Sequence, residues 1–203
     1  MRKPYGLTGN IGCGKSTIAG ILESKGVVVY YSDAIAKEII ADPVHRKKVV
    51  EILGTEAPFL ENPINWRMIA KIIFADKQIR YSIEQFSHPL VWGRIVWKMD
   101  FLPADTIVVV ESAIIYEVRW ADRFEAIIVA TCSKEEQVRR LRTSRNMSDG
   151  DISARMHQQI PSDEKEVFGD YVISTECSPE KLHGRVDDLY LNLKQLNNKE
   201  NMQ

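Results

Sequence analysis

Short apolar runs that alternate with helical patterns are the main feature of this chain. Residues 27–31, 106–110 and 126–130 are continuous runs of mainly β-branched, aromatic or small apolar side chains, which is typical of parallel strands buried on both faces. Residues 5–8 and 170–174 form shorter strand-like segments, and apolar residues at helical spacing follow most of these runs. The pattern predicts an α/β fold with a five-stranded parallel sheet.

A long interval with helical character separates the second and third predicted strands. Residues 32–105 far exceed the length of a simple crossover, and their apolar side chains recur at helical spacing. We therefore predict a helical insertion at residues 43–104, which at the carboxyl edge of a parallel sheet is well placed to hold a substrate. The predicted core then comprises residues 1–42 and 105–196, followed by a flexible tail at residues 197–203.

A glycine-rich segment joins the first strand to the first helix. Residues 9–16 read Gly-Asn-Ile-Gly-Cys-Gly-Lys-Ser, which fits the P-loop pattern G-x-x-x-x-G-K-[ST] in its required strand-to-helix setting. The glycines let backbone N–H groups converge on phosphate oxygens, Lys15 neutralises the β- and γ-phosphates, and the Ser16 hydroxyl is expected to ligate Mg²⁺. The predicted ATP-binding residues are Gly12, Cys13, Gly14, Lys15, Ser16 and Thr17.

Two carboxylates stand at the carboxyl ends of predicted strands. Asp33 could accept a proton from an attacking hydroxyl or hold Mg²⁺ through water, and capping of the following helix explains it equally well. Glu111 is a candidate acidic partner of the metal, with an ordinary loop carboxylate as the alternative. Position alone leaves both alternatives open.

Arginines are concentrated between residues 138 and 156. Guanidinium groups at this density are typical of a lid that closes over transferring phosphate, so we predict an Arg-rich lid at about residues 139–165. A solvated helix surface is the alternative, because Glu136 lies four residues before Arg140 and can pair with it. The arginines of this stretch are Arg139, Arg140, Arg142, Arg145 and Arg155.

Composition and charge leave a small anionic ligand as the expected partner. The net charge is −1, so no global field draws the chain to nucleic acid or to an anionic membrane. No apolar run approaches the ~20 residues that span a bilayer. The three cysteines have no metal-ligand spacing and form no disulfide framework, which predicts a reducing, cytoplasmic location. Cys13 lies in the P-loop, where a helix N-terminus lowers a thiol pKa, so its oxidation is a hypothesis.

His88 is a candidate ligand contact because of its neighbour in sequence. Pro89 biases His88 away from helix, toward a turn where the imidazole could reach a ligand, and a purely structural histidine is the alternative. The four tryptophans could stack an adenine, but core packing is their usual role.

The chain resembles the dephospho-CoA kinase family along nearly its whole length. Residues 7–17 are similar to that family's first loop, L-T-G-G-I-G-S-G-K-S-T, with Asn10 and Cys13 as the differences. Residues 31–36 are similar to its D-A-D-x-I-A element, and Asp33 keeps the second acid. Later stretches that also carry family patterns are residues 74–89, 113–117, 137–159 and 170–173.

The stretch at residues 74–89 raises the resemblance from P-loop kinases in general to one family. The resemblance implies a kinase that transfers the ATP γ-phosphoryl group to the ribose 3′-hydroxyl of dephospho-CoA, with Mg²⁺, to give CoA and ADP. Asp33 would orient or deprotonate the hydroxyl, Lys15 would neutralise the phosphates, and Arg140 or a lid neighbour would stabilise transfer. The residues that it implies for substrate binding are Thr8, Asp33, Arg80, His88 and Glu117, and for ATP binding also Arg145.

Other functions remain open at the level of motifs. A P-loop and a lid cannot name the acceptor, so another P-loop nucleotide or metabolite kinase is the alternative. A nucleotide-dependent switch without phosphoryl transfer is a second, although a switch needs neither the lid nor the helical insertion. A nucleic-acid-dependent ATPase is disfavoured by the near-neutral charge.

Overall fold

The computed structural model describes residues 2–200, apart from the side chains of residues 145, 199 and 200. Its sheet is parallel throughout, with the strand order β2-β3-β1-β4-β5, and the predicted five-stranded parallel sheet is confirmed. The strands are β1 (Tyr5–Thr8), β2 (Val28–Tyr31), β3 (Val108–Glu111), β4 (Ile127–Thr131) and β5 (Tyr171–Ser174).

Nine α-helices accompany the sheet in the part of the chain that is described. They are α1 (Lys15–Glu23), α2 (Ser32–Ala41), α3 (Pro43–Leu53), α4 (Trp66–Ala75), α5 (Lys77–Met99), α6 (Lys134–Arg145), α7 (Asp149–Met156), α8 (Ser162–Val167) and α9 (Pro179–Glu200). Two starts follow the capping chemistry of the sequence: Ser133 accepts a hydrogen bond from the Glu136 N–H before α6, and Pro179 is the first residue of α9. No helix among the described residues has the length and apolar character needed to cross a membrane.

The chain divides into two compact units, which we call the core unit (residues up to Tyr31 and from Leu102) and the helical unit (Ser32–Phe101). The core unit contains the sheet, and one hydrophobic cluster of its buried side chains is formed mainly by the strands, α1 and α9. Leu7 and Ile128 are fully buried there, and burial stabilises by about 1.5–3 kcal/mol for each such side chain.

β1 is the central strand of the core unit, with β3 on one side and β4 on the other. Its carboxyl end therefore meets the carboxyl ends of both neighbours, and Leu7 lies in register with Glu111. Ligands of parallel sheets bind at this edge. The topology thus sets the segment after Thr8 between the ends of β3 and β4.

The helical unit contains α2 to α5 and has a hydrophobic core of its own, which includes Val49, Ile69 and Ile83. The unit begins at Ser32, eleven residues before the boundary expected at residue 43 (43 − 32 = 11). The reason is the apolar face of α2, because this helix packs on α3 and α5. The helix after β2 is therefore part of the helical unit.

Helix α5 corrects the prediction of a turn at His88. The helix runs through Pro89, although proline lacks the N–H that would bond the Gln85 carbonyl. A continuous buried face outweighs this loss, since every fourth residue of α5 points into the core of its unit. These residues are Ile83, Ser87, Val91, Ile95 and Met99.

Helix α9 corrects the predicted boundary of the flexible tail. The helix continues to Glu200, so residues 197–200 are helical. Asn197 is almost fully buried, and its amide nitrogen donates to the carbonyl of Asp105 at 2.8 Å. This contact extends the ordered helix past the polar composition that predicted a tail. Residues 201–203 lie outside the described residues.

Candidate active site

The P-loop spans residues 9–14, between the end of β1 and the start of α1. Gly9, Gly12 and Gly14 have φ angles of 138°, 83° and 79°, a region that other residues rarely adopt. A Cβ atom at Gly9 would also lie 2.1 Å from the carbonyl oxygen of Ala130. The glycines are therefore required by backbone shape and by close approach to β4.

Lys15 is the first residue of α1 and is almost fully buried. Its Nζ donates to the carbonyl oxygens of Gly9 at 3.0 Å and Asn10 at 3.4 Å, and lies 3.7 Å from Oε1 of Glu111. The ammonium group is thus held inside the curve of the loop, next to the carboxylate that ends β3. The structure brings together the two residues that the sequence proposed as phosphate and metal partners.

Arg140 of α6 contacts the same loop. Its Nη1 donates to Oγ1 of Thr175 at 2.8 Å and to the Gly12 carbonyl at 3.4 Å, while Nη2 donates to the Thr175 carbonyl at 2.9 Å. Its Nε donates to Glu136 at 2.7 Å, the pair expected from helical spacing. These four hydrogen bonds orient the guanidinium beside the P-loop, where the side chain is only partly exposed.

Arg139 and Arg142 have more exposed positions. Arg139 also pairs with Glu136, at 2.6 Å, and Arg142 pairs with Asp149 at 2.8 Å, with side chains 63% and 56% exposed. Hydrogen bonds from Arg139 and Arg140 lower the pKa of Glu136 to about 2. Arg139 and Arg142 therefore form ion pairs on the protein surface. The side chain of Arg145, predicted to bind ATP, lies outside the described residues.

Two glutamines hold Ile11 of the P-loop from residues far along the chain. Gln137 Nε2 donates to the Ile11 carbonyl at 2.6 Å, and Gln159 Oε1 accepts from the Ile11 N–H at 2.9 Å. Gln159 Nε2 also reaches the carbonyl of Ala113 at 3.4 Å. The sequence assigned neither glutamine a role, because no local spacing links them to residue 11.

Two buried polar groups at the end of β1 lack partners among the described residues. The Thr8 hydroxyl is fully buried and the Asn10 side chain is 5% exposed, and neither Thr8 Oγ1 nor Asn10 Oδ1 has a hydrogen bond there. Buried polar atoms are nearly always hydrogen-bonded in native proteins. Such atoms beside a phosphate-binding loop are available to a ligand.

Glu117 holds the segment after β3 against α8. Its Oε1 lies 2.8 Å from Nζ of Lys165 and accepts from the Ile160 N–H at 3.0 Å. Lys165 is 0% exposed and also donates to the Ala113 carbonyl at 2.9 Å, and burial lowers its pKa. Glu117 Oε2 is buried and has no hydrogen-bond partner among the described residues. Sequence reasoning missed Lys165, which resembles a surface lysine of a polar helix.

Three candidate acceptor contacts lie in the helical unit. Asp33 is exposed in the first turn of α2, which begins at Ser32, two residues before the start that a cap at Asp33 would require. Arg80 pairs with Glu84 at 2.8 Å on α5. His88 lies two helical turns beyond Arg80 on the same helix, and burial lowers its pKa. Arg80 and His88 therefore project from one side of α5.

Known proteins resemble this chain over most of its length. A family model described as dephospho-CoA kinase matches residues 5–180. Dephospho-CoA kinases from Cutibacterium acnes and Bdellovibrio bacteriovorus are 32% and 29% identical, with 91% and 97% of this chain and 82% and 98% of the relatives covered. The matched region includes the P-loop, the helical unit and β5.

Two solved structures share the fold. The crystal structure of TT1252 from Thermus thermophilus is similar with a TM-score of 0.82 at 25% identity, covering 94% of this chain and 98% of that one. The dephospho-CoA kinase from Campylobacter jejuni has a TM-score of 0.60 at 24% identity, covering 94% and 97%. These likenesses extend over nearly the whole of each chain.

Proposed function

This chain belongs to the dephospho-CoA kinase family, and from that premise we propose how its residues carry out the reaction. The enzyme transfers the γ-phosphoryl group of ATP to the ribose 3′-hydroxyl of dephospho-CoA, and the products are CoA and ADP. The observation that carries this function is the family match over residues 5–180, which includes both the P-loop and the helical unit.

The triphosphate binds along the P-loop and the start of α1. Lys15 is already held beside the loop by the Gly9 and Asn10 carbonyls, so little reorganisation is needed when the β- and γ-phosphates arrive. Arg140 is fixed by Thr175 and Glu136, and its guanidinium stabilises the negative charge that spreads over the transferring group. The residues assigned to ATP are Gly12, Cys13, Gly14, Lys15, Ser16, Thr17 and Arg145.

The donor atoms at this edge of the sheet fit Mg²⁺, which prefers oxygen ligands. The Ser16 hydroxyl is exposed in the first turn of α1, and the Glu111 carboxylate ends β3. Ser16 would hold the ion, and Glu111 would be its acidic partner. When bound with ATP, the ion neutralises charge on the β- and γ-phosphates.

Asp33 is the residue proposed to activate the acceptor. Its carboxylate is exposed at the start of α2, which follows β2 without a loop. There it accepts the proton of the 3′-hydroxyl as the oxygen attacks phosphorus. Thr8, Arg80, His88 and Glu117 are proposed to bind dephospho-CoA. The unpaired Thr8 hydroxyl and Glu117 Oε2 support this role for those two residues.

The three cysteines are free thiols, which fits a reducing compartment. We place the enzyme in the cytoplasm on that basis.

The test measures coupled ADP release with ATP and dephospho-CoA. Asp33→Asn should lower kcat by about 10²–10⁴, the usual contribution of a general base, and leave the Kd of ATP nearly unchanged. Glu38→Gln, an exposed carboxylate on the same helix, is the matched control and should retain normal turnover. Absence of ADP above background with dephospho-CoA, together with turnover on a nucleotide or sugar acceptor, would refute the assignment. Normal turnover of Asp33→Asn would remove only Asp33 from the mechanism.

A further inference from the structure

Two cysteines meet beside the phosphate-binding loop. Cys13 lies between two glycines of the P-loop, and Cys132 follows the last residue of β4. Their Sγ atoms are 3.1 Å apart, and both residues are free thiols. The kinase reaction described above uses neither sulfur. The pair is therefore a reactive feature that the proposed function leaves unexplained.

The two sulfurs differ in access. Cys13 is 0% exposed, whereas Cys132 is partly exposed and lines a cavity of about 800 Å³. Gln137 and Ile152 line the same cavity. A small solute that enters this cavity can therefore contact Cys132, whereas Cys13 is not exposed.

The charges around the pair favour a thiolate. The hydrogen bond from the Cys132 thiol is the largest cause that lowers the pKa of Cys13 to about 7, burial opposes it, and the cations Lys15 and Arg140 add to the lowering. The pKa of Cys132 is raised, chiefly by the same hydrogen bond. The pair therefore shares one proton near neutral pH, and a thiolate is the reactive form of cysteine.

We propose that Cys13 and Cys132 are a modification site, at which a hydroperoxide oxidises the pair to a reversible disulfide that ties the P-loop to the end of β4. This inference goes beyond the phosphoryl transfer and does not depend on the identity of the acceptor.

The oxidation proceeds in two balanced steps. In the first step, the Cys132 thiol passes its proton to Cys13, and the Cys132 sulfur attacks one oxygen of the peroxide. The O–O bond breaks, hydroxide leaves, and Cys132 becomes a sulfenic acid. Cys13 sulfur then attacks the sulfenic sulfur, the S–O bond breaks, and the proton of Cys13 leaves with that oxygen as water. The sulfur pair loses two electrons and the peroxide gains them. A dithiol reverses the reaction by thiol–disulfide exchange.

Formation of the bond should draw the P-loop toward the end of β4. A disulfide needs an S–S distance of about 2.05 Å, so the two sulfurs approach by about 1 Å from their present contact. The Cys13 carbonyl accepts from Thr175 Oγ1 at 3.1 Å, and its N–H donates to the Asn10 carbonyl at 3.1 Å. These bonds pass the movement to the loop that binds phosphate. A misplacement of about 1 Å can cost about 100-fold in rate, so the disulfide form should be close to inactive.

The primary test maps the bond and needs no activity assay. The enzyme is treated with hydrogen peroxide, the remaining thiols are blocked with N-ethylmaleimide, and a non-reduced digest is examined by mass spectrometry. The expected product is a pair of peptides linked through Cys13 and Cys132. This linked pair should disappear after treatment with dithiothreitol. A digest in which Cys13 and Cys132 stay as thiols or carry separate oxidised sulfurs would overturn the proposal.

Turnover before and after oxidation provides the second measurement. Unmodified enzyme should lose about 100-fold in turnover and recover with dithiothreitol. Cys132→Ser should start from normal turnover and keep it after peroxide, whereas Cys177→Ser, which removes the third thiol, should respond like the unmodified enzyme. Equal, dithiothreitol-reversible loss in Cys132→Ser would show that another thiol is responsible and refute the proposed pair.

Discussion

The guanidinium of Arg140 is fixed beside the P-loop by hydrogen bonds to Gly12, Thr175 and Glu136. Five arginines between residues 138 and 156 look interchangeable, yet Arg140 donates to Gly12 and Thr175 while Arg139 and Arg142 pair with surface carboxylates. A guanidinium presents its donors in a rigid planar fork, whereas a lysine ammonium is a compact charge without that fixed geometry. The proposed role in phosphoryl transfer thus depends on the fork and its anchors as well as on the charge.

Arg140→Lys is therefore expected to lower kcat by about 10²–10³, the loss typical of removing one donor to a developing negative charge. The Kd of ATP should change much less, because Lys15 and the loop backbone remain. Steady-state turnover and equilibrium ATP binding separate the two effects. The matched control is Arg139→Lys on the same helix, which should stay near normal. Equal losses in both variants would mean that a general surface charge matters, and not the fork of Arg140.

The ion pairs of Glu136 with Arg139 and Arg140 make the stability of the fold depend on pH. Its folded pKa of about 2 lies below the ordinary value of 4.5, so the charged form is favoured by folding. Stability from this group is fully present above the unfolded pKa and is lost as pH falls from about 4.5 toward 2. The difference in urea midpoint between the unmodified enzyme and Glu136→Gln should shrink over this range. A difference that stays constant with pH would contradict this account.

Residue contacts show which parts of the site could be read from sequence. The P-loop was predictable because its chemistry is contiguous: the glycines, Lys15 and Ser16 lie within eight residues. The two glutamines that hold Ile11 come from 126 and 148 residues away, and no spacing rule connects positions so far apart. Lys165 was missed for a related reason, since only tertiary packing distinguishes a buried lysine from a solvated one.

Helix α5 shows at the scale of elements how packing overrides a local rule. The proline rule predicted a turn near residue 88, because proline removes a helical hydrogen bond. The helix nevertheless spans Lys77–Met99, since its buried face repeats every fourth residue over its whole length. Strands with continuous apolar runs, such as β3 and β4, were predicted within two residues of their observed ends. The helix at His88 was not, because the local preference set by Pro89 conflicts there with tertiary packing.

Pro89→Ala should therefore stabilise the enzyme. Alanine restores a helical N–H and removes a helix-interior penalty of about 3 kcal/mol, while added freedom in the unfolded chain offsets about 1 kcal/mol, for a net gain of about 2 kcal/mol. Urea unfolding measures the change. Gln85→Ala, an exposed position one turn earlier, is the control and should stay within about 0.5 kcal/mol. A loss of stability in Pro89→Ala would show that the proline makes a favourable contact.

At the scale of the whole molecule, the residues proposed for ATP lie in one unit, and those proposed for the acceptor come from both. The P-loop, Lys15 and Arg140 belong to the core unit together with Thr8 and Glu117, whereas Asp33, Arg80 and His88 belong to the helical unit. Each unit has its own buried cluster of apolar side chains. The helical interval was visible in the sequence because no simple crossover is so long. The first residue of the helical unit was not visible in the sequence, because α2 follows β2 directly and only packing assigns α2 to the helical unit.

Separate cores predict that damage to one unit affects its own function first. Ile83 is 4% exposed in the helical unit, so Ile83→Ala should cost about 2–5 kcal/mol there. Fluorescence reports mainly on the helical unit, which holds three of the four tryptophans, Trp66, Trp92 and Trp97. In Ile83→Ala, the midpoint of the fluorescence transition should shift to a lower urea concentration. The urea concentration at which binding of a fluorescent ATP analogue is lost should shift less.

Ile128→Ala is the matched substitution in the core unit, where Ile128 is fully buried. In Ile128→Ala, binding of the ATP analogue should be lost at a lower urea concentration than in the unmodified enzyme. The fluorescence transition should shift less than the binding does, which is the opposite of the result expected for Ile83→Ala. If both substitutions shift both signals equally, the units unfold as one cooperative body, and the division of function along the chain has no counterpart in stability. If each shifts its own signal, loss of acceptor turnover should precede loss of ATP binding in the Ile83 variant as urea rises.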